Sequence, residues 1–266
     1  MESRGTVRVG IGGWTYVPWR GAFYPSKLPQ KQELHYASRR LTSIEINSTH
    51  YRVPPSSIYA RWREETPEGF IFSVKAPRFA TDRRHLADAG PDVARFVGGG
   101  LAALGDRLGP ILWQLPPHRR FEAAAIEPFL DLLPREIDGI PLRHALDVRN
   151  ASFRTPEYVA LARSYGVATV FNDGLEFPSF ADLSADFVYA RLTRSASDED
   201  TGYPAAALDA WARRAREWSE GHEPDDLPRI ADPGTAGPRD VFVYFISGAK
   251  ERAPAAAQAL LQRLAS

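Results

Sequence analysis

In Ile44-Glu45-Ile46-Asn47, and again in Asp147-Val148-Arg149, a polar side chain stands at every second position of an otherwise apolar run. An extended strand sends alternate side chains to opposite faces, so each run delivers its polar residues to one face together. Two carboxylates presented that way suit general acid/base work, and a glycosidase-type pair would use Glu45 with Asp147 or with Asp173. Further apolar runs end on Lys75, Gln114, Asn172-Asp173 and Arg191. In an enzyme of this kind Arg149, Arg191 and Lys75 would stabilise developing negative charge. The candidate catalytic residues are therefore Glu45, Asp147 and Asp173. The candidate ligand-binding residues are Trp14, Asn47, Arg52, Lys75, Gln114, Arg149 and Arg191.

Cations at or just past the ends of these runs (Arg52, Lys75, Arg78, Arg149 and Arg191) outnumber the three carboxylates, which points to an anionic, phosphate-bearing ligand. A guanidinium fork suits phosphate or carboxylate, and Trp14 and Trp19 offer flat faces for a sugar or a base. The plain structural alternative is an ion-pair network that satisfies itself, because a buried carboxylate without a partner is costly.

Other chemistries lack their parts. There is no cysteine, so thiolate nucleophiles, disulfides and zinc–sulfur sites are excluded. Of the histidines, only His50, His85 and His118 fall in loops near the strand ends, and His50 is expected to pack. No bound transition metal is expected. A single Mg2+ held by Glu45, Asp147 and Asp173 with waters stays open, since that ion takes oxygen ligands. No other cofactor is expected. Gly10-Ile11-Gly12-Gly13 lacks the third glycine of a dinucleotide fingerprint, and no Gly-x-Ser-x-Gly elbow occurs.

The elements that would hold these residues alternate. Strand-like runs occur at Val7–Ile11, Ser43–Ile46, Phe70–Val74, Pro110–Gln114, Leu142–Asp147, Ala168–Phe171, Phe187–Arg191 and Val241–Phe245. Between them lie helical patterns at Gln30–Arg39, Ser56–Glu65, Pro91–Leu108, Phe121–Leu133, Pro156–Tyr165 and Pro204–Glu220, with a last at Pro254–Leu264. Only Gly174–Ser184 has room for no more than one helical turn. Strands alternating with helices imply a parallel sheet, and eight of them imply closure: an α/β fold, a (β/α)8 TIM barrel, spanning 1–266 as a single domain. The polar run ends then converge on one cup at the carboxyl ends of the strands. A long loop, mobile by composition, is expected near 221–239.

With 33 basic and 33 acidic residues the net charge is zero, which favours a small anionic ligand over nucleic acid, although a local basic stripe for nucleic acid stays open. Met1 to Arg8 is too short and polar for a secretory signal, and no apolar run reaches membrane-spanning length. A cytoplasmic protein with no membrane partner is expected; the oligomeric state is not legible.

Ten ordered motifs add a resemblance: Gly12-Gly13-Trp14, Trp19-Arg20-Gly21, Phe23-Tyr24-Pro25, Leu28-Pro29, Glu45-Ile46-Asn47-Ser48-Thr49, Tyr51-Arg52, Trp62, Thr66-Pro67, Gln114-Leu115-Pro116-Pro117 and Val243-Tyr244-Phe245. Together they resemble the YecE-like family, also called domain of unknown function 72, from Val7 to the last helix. The resemblance implies a TIM barrel, similar in outline to metal-dependent apurinic endonucleases and sugar isomerases, and it implies no particular reaction. Four polar positions depart from the family pattern. They are Asn150 after Asp147-Val148-Arg149, Asp82 after Thr81, Thr193 after Arg191-Leu192, and Ile246-Ser247 after Phe245. The residues thus leave two readings open: a hydrolase with Glu45 or Asp147 as general acid/base, and a non-catalytic binder of nucleic acid or a metabolite.

Overall fold

The computed structural model describes residues 4–266, so Met1–Ser3 of the opening stretch lie outside the described residues. Eight strand positions follow one another around a parallel barrel. They are β1 (Val7–Gly12), β2 (Ser43–Ile46), β3 (Ile71–Lys75), β4 (Leu108–Gln114), β5 (His144–Asp147), β6, β7 (Phe187–Leu192) and β8 (Asp240–Phe245). The sixth, β6, is in two pieces, Ala168–Thr169 and Phe171–Asn172. Its first piece pairs with β5 (Leu146 opposite Thr169), and its second pairs with β7 (Arg191 opposite Asn172). At the switch, the Val170 N–H donates to the Leu146 carbonyl at 3.0 Å. Across the ring, β1 pairs with β8 from Val7 opposite Val241 to Ile11 opposite Phe245. The expected barrel is therefore formed.

Helices pack outside where the apolar periodicity placed them. Ser56–Glu65 and Pro156–Tyr165 have the expected bounds. The second shows why: Thr155 caps the Tyr158 N–H, Pro156 opens the first turn, and Gly166 takes the left-handed conformation (φ 63°) that ends it. Elsewhere the helices break up. Pro91–Leu108 becomes Gly90–Val97 followed by a 3-10 segment at Leu101–Arg107, because Gly98-Gly99-Gly100 interrupts it and Gly100 adopts φ 119°. No helix forms between 174 and 184, so β6 reaches β7 through irregular chain. The 221–239 loop has no regular structure, yet it is fastened: the Asp182 carboxylate accepts from the Ile230 and Ala231 N–H groups, and Arg163 donates to the Asp232 carbonyl. Among the described residues, no helix is long and apolar enough to cross a membrane.

Inside the barrel, side chains stack in layers. Phe187 and Phe242 lie at the amino-terminal end, with Arg143 against both rings. Tyr189 and Tyr244 fill the middle, 5.1 Å apart. Ser43 and Ser73 give the two phenols partners, at 2.8 Å to Tyr244 and 2.7 Å to Tyr189. The charged residues come above them.

His144, at the start of β5, points outward into the helix layer. Its Nδ1 accepts from the Trp113 indole (3.0 Å), and its Nε2–H donates to the Pro134 carbonyl (2.8 Å). Both nitrogens are committed to a neutral ring, and burial lowers the pKa from 6.5 to about 4. The unfolded chain takes up this proton first as pH falls. The contribution of this histidine is therefore complete above about pH 6.5 and lost progressively down to about pH 4, a swing on the order of 3 kcal/mol. Denaturant titration of wild type against His144→Leu from about pH 7 to 4.5 is expected to show a pH slope in wild type that the variant lacks; parallel profiles would contradict this.

Candidate functional site

Arg191, at the end of β7, occupies the centre of the barrel mouth. Its Nε and Nη2 donate to both oxygens of Glu45, each at 3.2 Å, and its Nη1 donates to Asp147 Oδ2 at 3.0 Å. The Tyr189 hydroxyl below donates to Glu45 Oε2 at 2.7 Å. Asp147 Oδ2 also accepts from Arg149 Nε and Nη2, at 3.3 and 3.1 Å. Glu45, Asp147 and Arg191 are 0%, 2% and 3% exposed. Burial opposes the charge on Arg191, but the two carboxylates outweigh it and hold the guanidinium pKa above its ordinary value. The alternation in β2 and after β5 did turn Glu45, Asp147 and Arg149 into the cup. What it could not reveal is that Arg191 seals both carboxylates.

Above this seal opens a cavity of about 910 Å3, lined from the predicted set by Asn47, Lys75, Gln114, Arg149 and Arg191. Lys75, at the end of β3, is 8% exposed. Among the described residues its ammonium has no ion pair or hydrogen bond, while Glu45 and Asp147 are bonded to Arg191 and Arg149. Burial first, then the charge of Arg191, lowers its pKa to about 8 against the raising effect of Glu45 and Asp147. Gln114 turns a buried Oε1 that lacks a partner in the same region. Arg149 stacks on Phe177 at 4.4 Å, held between the seal and the cavity wall.

Glu45 and Asp147 lie beneath the cavity without lining it, and three further predicted residues are away from it altogether. Trp14 follows Gly13, whose φ of 73° turns the chain out of the strand direction. Its ring packs edge-on against Trp62 at 5.1 Å, on the helix side of the sheet. Arg52 is exposed in the loop after β2 and lines no part of the cup. Asp173 faces sideways: it accepts from the Thr193 N–H (2.6 Å) and the Tyr203 hydroxyl (2.8 Å), clasping the loop after β7, and burial raises its pKa. The three Mg2+ donors considered above therefore do not converge. Glu45 and Asp147 face guanidinium groups, Asp173 faces its loop, and the described residues contain no other cluster of metal-ligating side chains.

Several lining residues had no period to betray them. Phe177, Arg194 and Lys250 come from irregular or single-turn segments, and Trp19, offered above as a flat face, also lines the cavity. His50 was expected only to pack, yet it also lines the cavity; its Nδ1–H donates to the Ala76 carbonyl at 2.8 Å, which leaves Nε2 as the lone-pair nitrogen of the neutral ring. Burial, with the charges of Lys75, Arg78 and Arg149, lowers its pKa. Of the four departures from the family pattern, Thr193 and Ile246-Ser247 line the cavity. Asn150 instead caps the Ser152 N–H, and Asp82 sits in the exposed loop after β3.

A (β/α)8 barrel whose mouth is closed by a buried Glu–Arg–Asp bridge and surmounted by a cationic cavity is the class that fold and site define. The family described as "Protein of unknown function DUF72" matches residues 8–266, and the chain belongs to it. UPF0759 protein YecE of Escherichia coli K12 is 29% identical over 140 residues, 52% of this chain and 48% of that protein. The match thus spans about half the length of that relative. A DUF72 family protein of Thermotoga maritima MSB8 superposes with a TM-score of 0.75 at 20% identity, covering 98% of this chain and 100% of that one. A D-psicose 3-epimerase superposes at 0.51 and 12% identity over 97% of both chains, which shows a shared fold only.

Arg191→Met should leave Glu45 and Asp147 without their shared partner and cost about 3–5 kcal/mol of stability. Arg149→Met should cost no more than about 1 kcal/mol, since Asp147 keeps Arg191. Denaturant midpoints of the two variants test this contrast; equal losses would mean Arg149 is structural.

Proposed function

We propose that the cup binds a small anionic, phosphate-bearing ligand, with Lys75 and Arg149 as its principal contacts. The observation that carries this reading is the Lys75 ammonium: buried beneath the cavity and without a carboxylate partner. Arg149, Arg191, Arg194 and Lys250 also line the cavity, against Glu176 as its only carboxylate among the described residues. An anion would complete the coordination of Lys75 and meet the guanidinium edge of Arg149. The neutral net charge and the cavity volume favour a metabolite over a nucleic-acid strand.

A hydrolase using Glu45 or Asp147 as general acid/base draws less support. Each carboxylate is sealed from the cavity and held to Arg191, so a proton would have to leave or reach it against two charged hydrogen bonds. Lys75, not a carboxylate, is the cup residue placed to exchange a proton near neutral pH.

Inorganic phosphate and sugar phosphates should raise the melting temperature of the wild-type protein. Lys75→Met and Arg149→Met should each weaken binding by roughly 1.5–3 kcal/mol. Affinity should also fall as pH rises through about 8, where Lys75 loses its charge. Thermal-shift titrations at several pH values measure all three effects. No shift with any of these anions would reject the proposal.

A further inference from the structure

We propose that Lys75 is a carbonyl-condensing nucleophile: the cup takes an anion that also bears an aldehyde or ketone, and Lys75 Nζ forms a Schiff base with it. The inference rests on the anion-site reading and names the substrate class of that same site. The chain has four lysines, Lys27, Lys31, Lys75 and Lys250, among 33 basic residues. The neighbouring cations at the barrel mouth are arginines, Arg149 and Arg191. An arginine cannot condense with a carbonyl, because its guanidinium stays protonated. Yet a lysine stands at the one barrel-strand end where the cation is 8% exposed, faces the cavity and has no carboxylate bound to it. Burial first, and then the charge of Arg191, disfavour its ammonium form, against the raising effect of Glu45 and Asp147, which are themselves hydrogen-bonded to arginines. This is the environment in which a lysine amine becomes available near neutral pH.

The step balances without another reactant. The neutral amine attacks the carbonyl carbon, and nitrogen gives up one proton while the oxygen gains one, forming a carbinolamine. The second nitrogen proton leaves with the hydroxyl as water, and the C=N bond remains. His50 lines the same cavity with its Nε2 lone pair open, its Nδ1–H being held by Ala76, so it is placed to carry the proton from nitrogen to oxygen. Burial lowers the pKa of the other cavity lysine, Lys250, as well, but its ammonium lies 4.5 Å from the Tyr16 ring centroid and 5.7 Å from that of Trp19, cation–π contacts that oppose the neutral form.

The test uses the full chain with glyoxylate, pyruvate and dihydroxyacetone phosphate, each with and without borohydride, which reduces an imine to a stable secondary amine. Intact mass and peptide mapping then locate the adduct. The expected result is a borohydride-dependent adduct on Lys75 that inorganic phosphate suppresses. It should be lost in Lys75→Arg and kept in Lys250→Arg, and its formation should slow on the order of a hundredfold in His50→Gln. An adduct spread over all four lysines, one confined to Lys250, or none with any probe overturns the inference. If phosphate still raises the melting temperature in that case, the anion site stands and only the condensation falls. If neither occurs, both fall.

Discussion

Arg191 holds two carboxylates that face each other across the barrel mouth, and the arrangement around the cup follows from that bridge. Glu45 comes from β2 and Asp147 from β5, with β3 and β4 between them, and their negative charges would repel within a nearly dry interior. One guanidinium, rising from β7, has enough donors in a rigid fork to satisfy both at once. With both acids satisfied from the centre, Arg149 becomes a second, outer partner of Asp147, and Lys75 receives none. Part of the positive character of the cavity is thus a remainder: three cations and two anions meet at the mouth, all three cations line the cavity, and Lys75 is the one without an anion.

The same bridge explains why the barrel interior tolerates so many polar groups. Beneath it the hydroxyls of Tyr189, Tyr244, Ser43 and Ser73 pair with one another and with Glu45, so each buried donor or acceptor on this path has a partner. A rigid, fully bonded floor positions Lys75 through its backbone too, since the Lys75 carbonyl accepts from Thr49 in the turn after β2. The loops above the floor are irregular, and two of the four departures from the family pattern, Thr193 and Ile246-Ser247, lie among them.

The barrel was legible because period-2 and period-3.6 patterns report which face is apolar, and strands such as Ser43–Ile46 have one answer only. The inward polar set was legible for the same reason. Partnership was not. Alternation says that Glu45 and Arg191 share an interior, but not that they touch, because the shear of a barrel sets which residues meet across it. Trp14 was misplaced because one positive φ at Gly13 redirects the chain, and periodicity carries no information past such a turn. Asp173 was drawn off by Thr193 and Tyr203, partners supplied by a loop. Phe177 and Lys250, in irregular and single-turn segments, had no pattern to show them. The break at Val170, where β6 changes neighbours, leaves no trace in Ala168–Phe171, a short run of strand-compatible residues with no glycine or proline.

The pairing of β1 with β8 has a consequence for how the molecule is made. Val7 and Val241 are direct neighbours in the finished sheet, so this edge of β1 has no partner until β8, seven strands later, has left the ribosome. During that interval an apolar strand with open backbone donors and acceptors is presented to whatever is near, which is the condition under which strands pair wrongly between chains. Ring closure therefore waits until β8 has been made, at synthesis rates of about 5–20 residues per second. The nascent barrel is an open, sticky arc for most of its existence, and a chaperone that shields such an edge would act on β1 and the growing far side before β8 arrives.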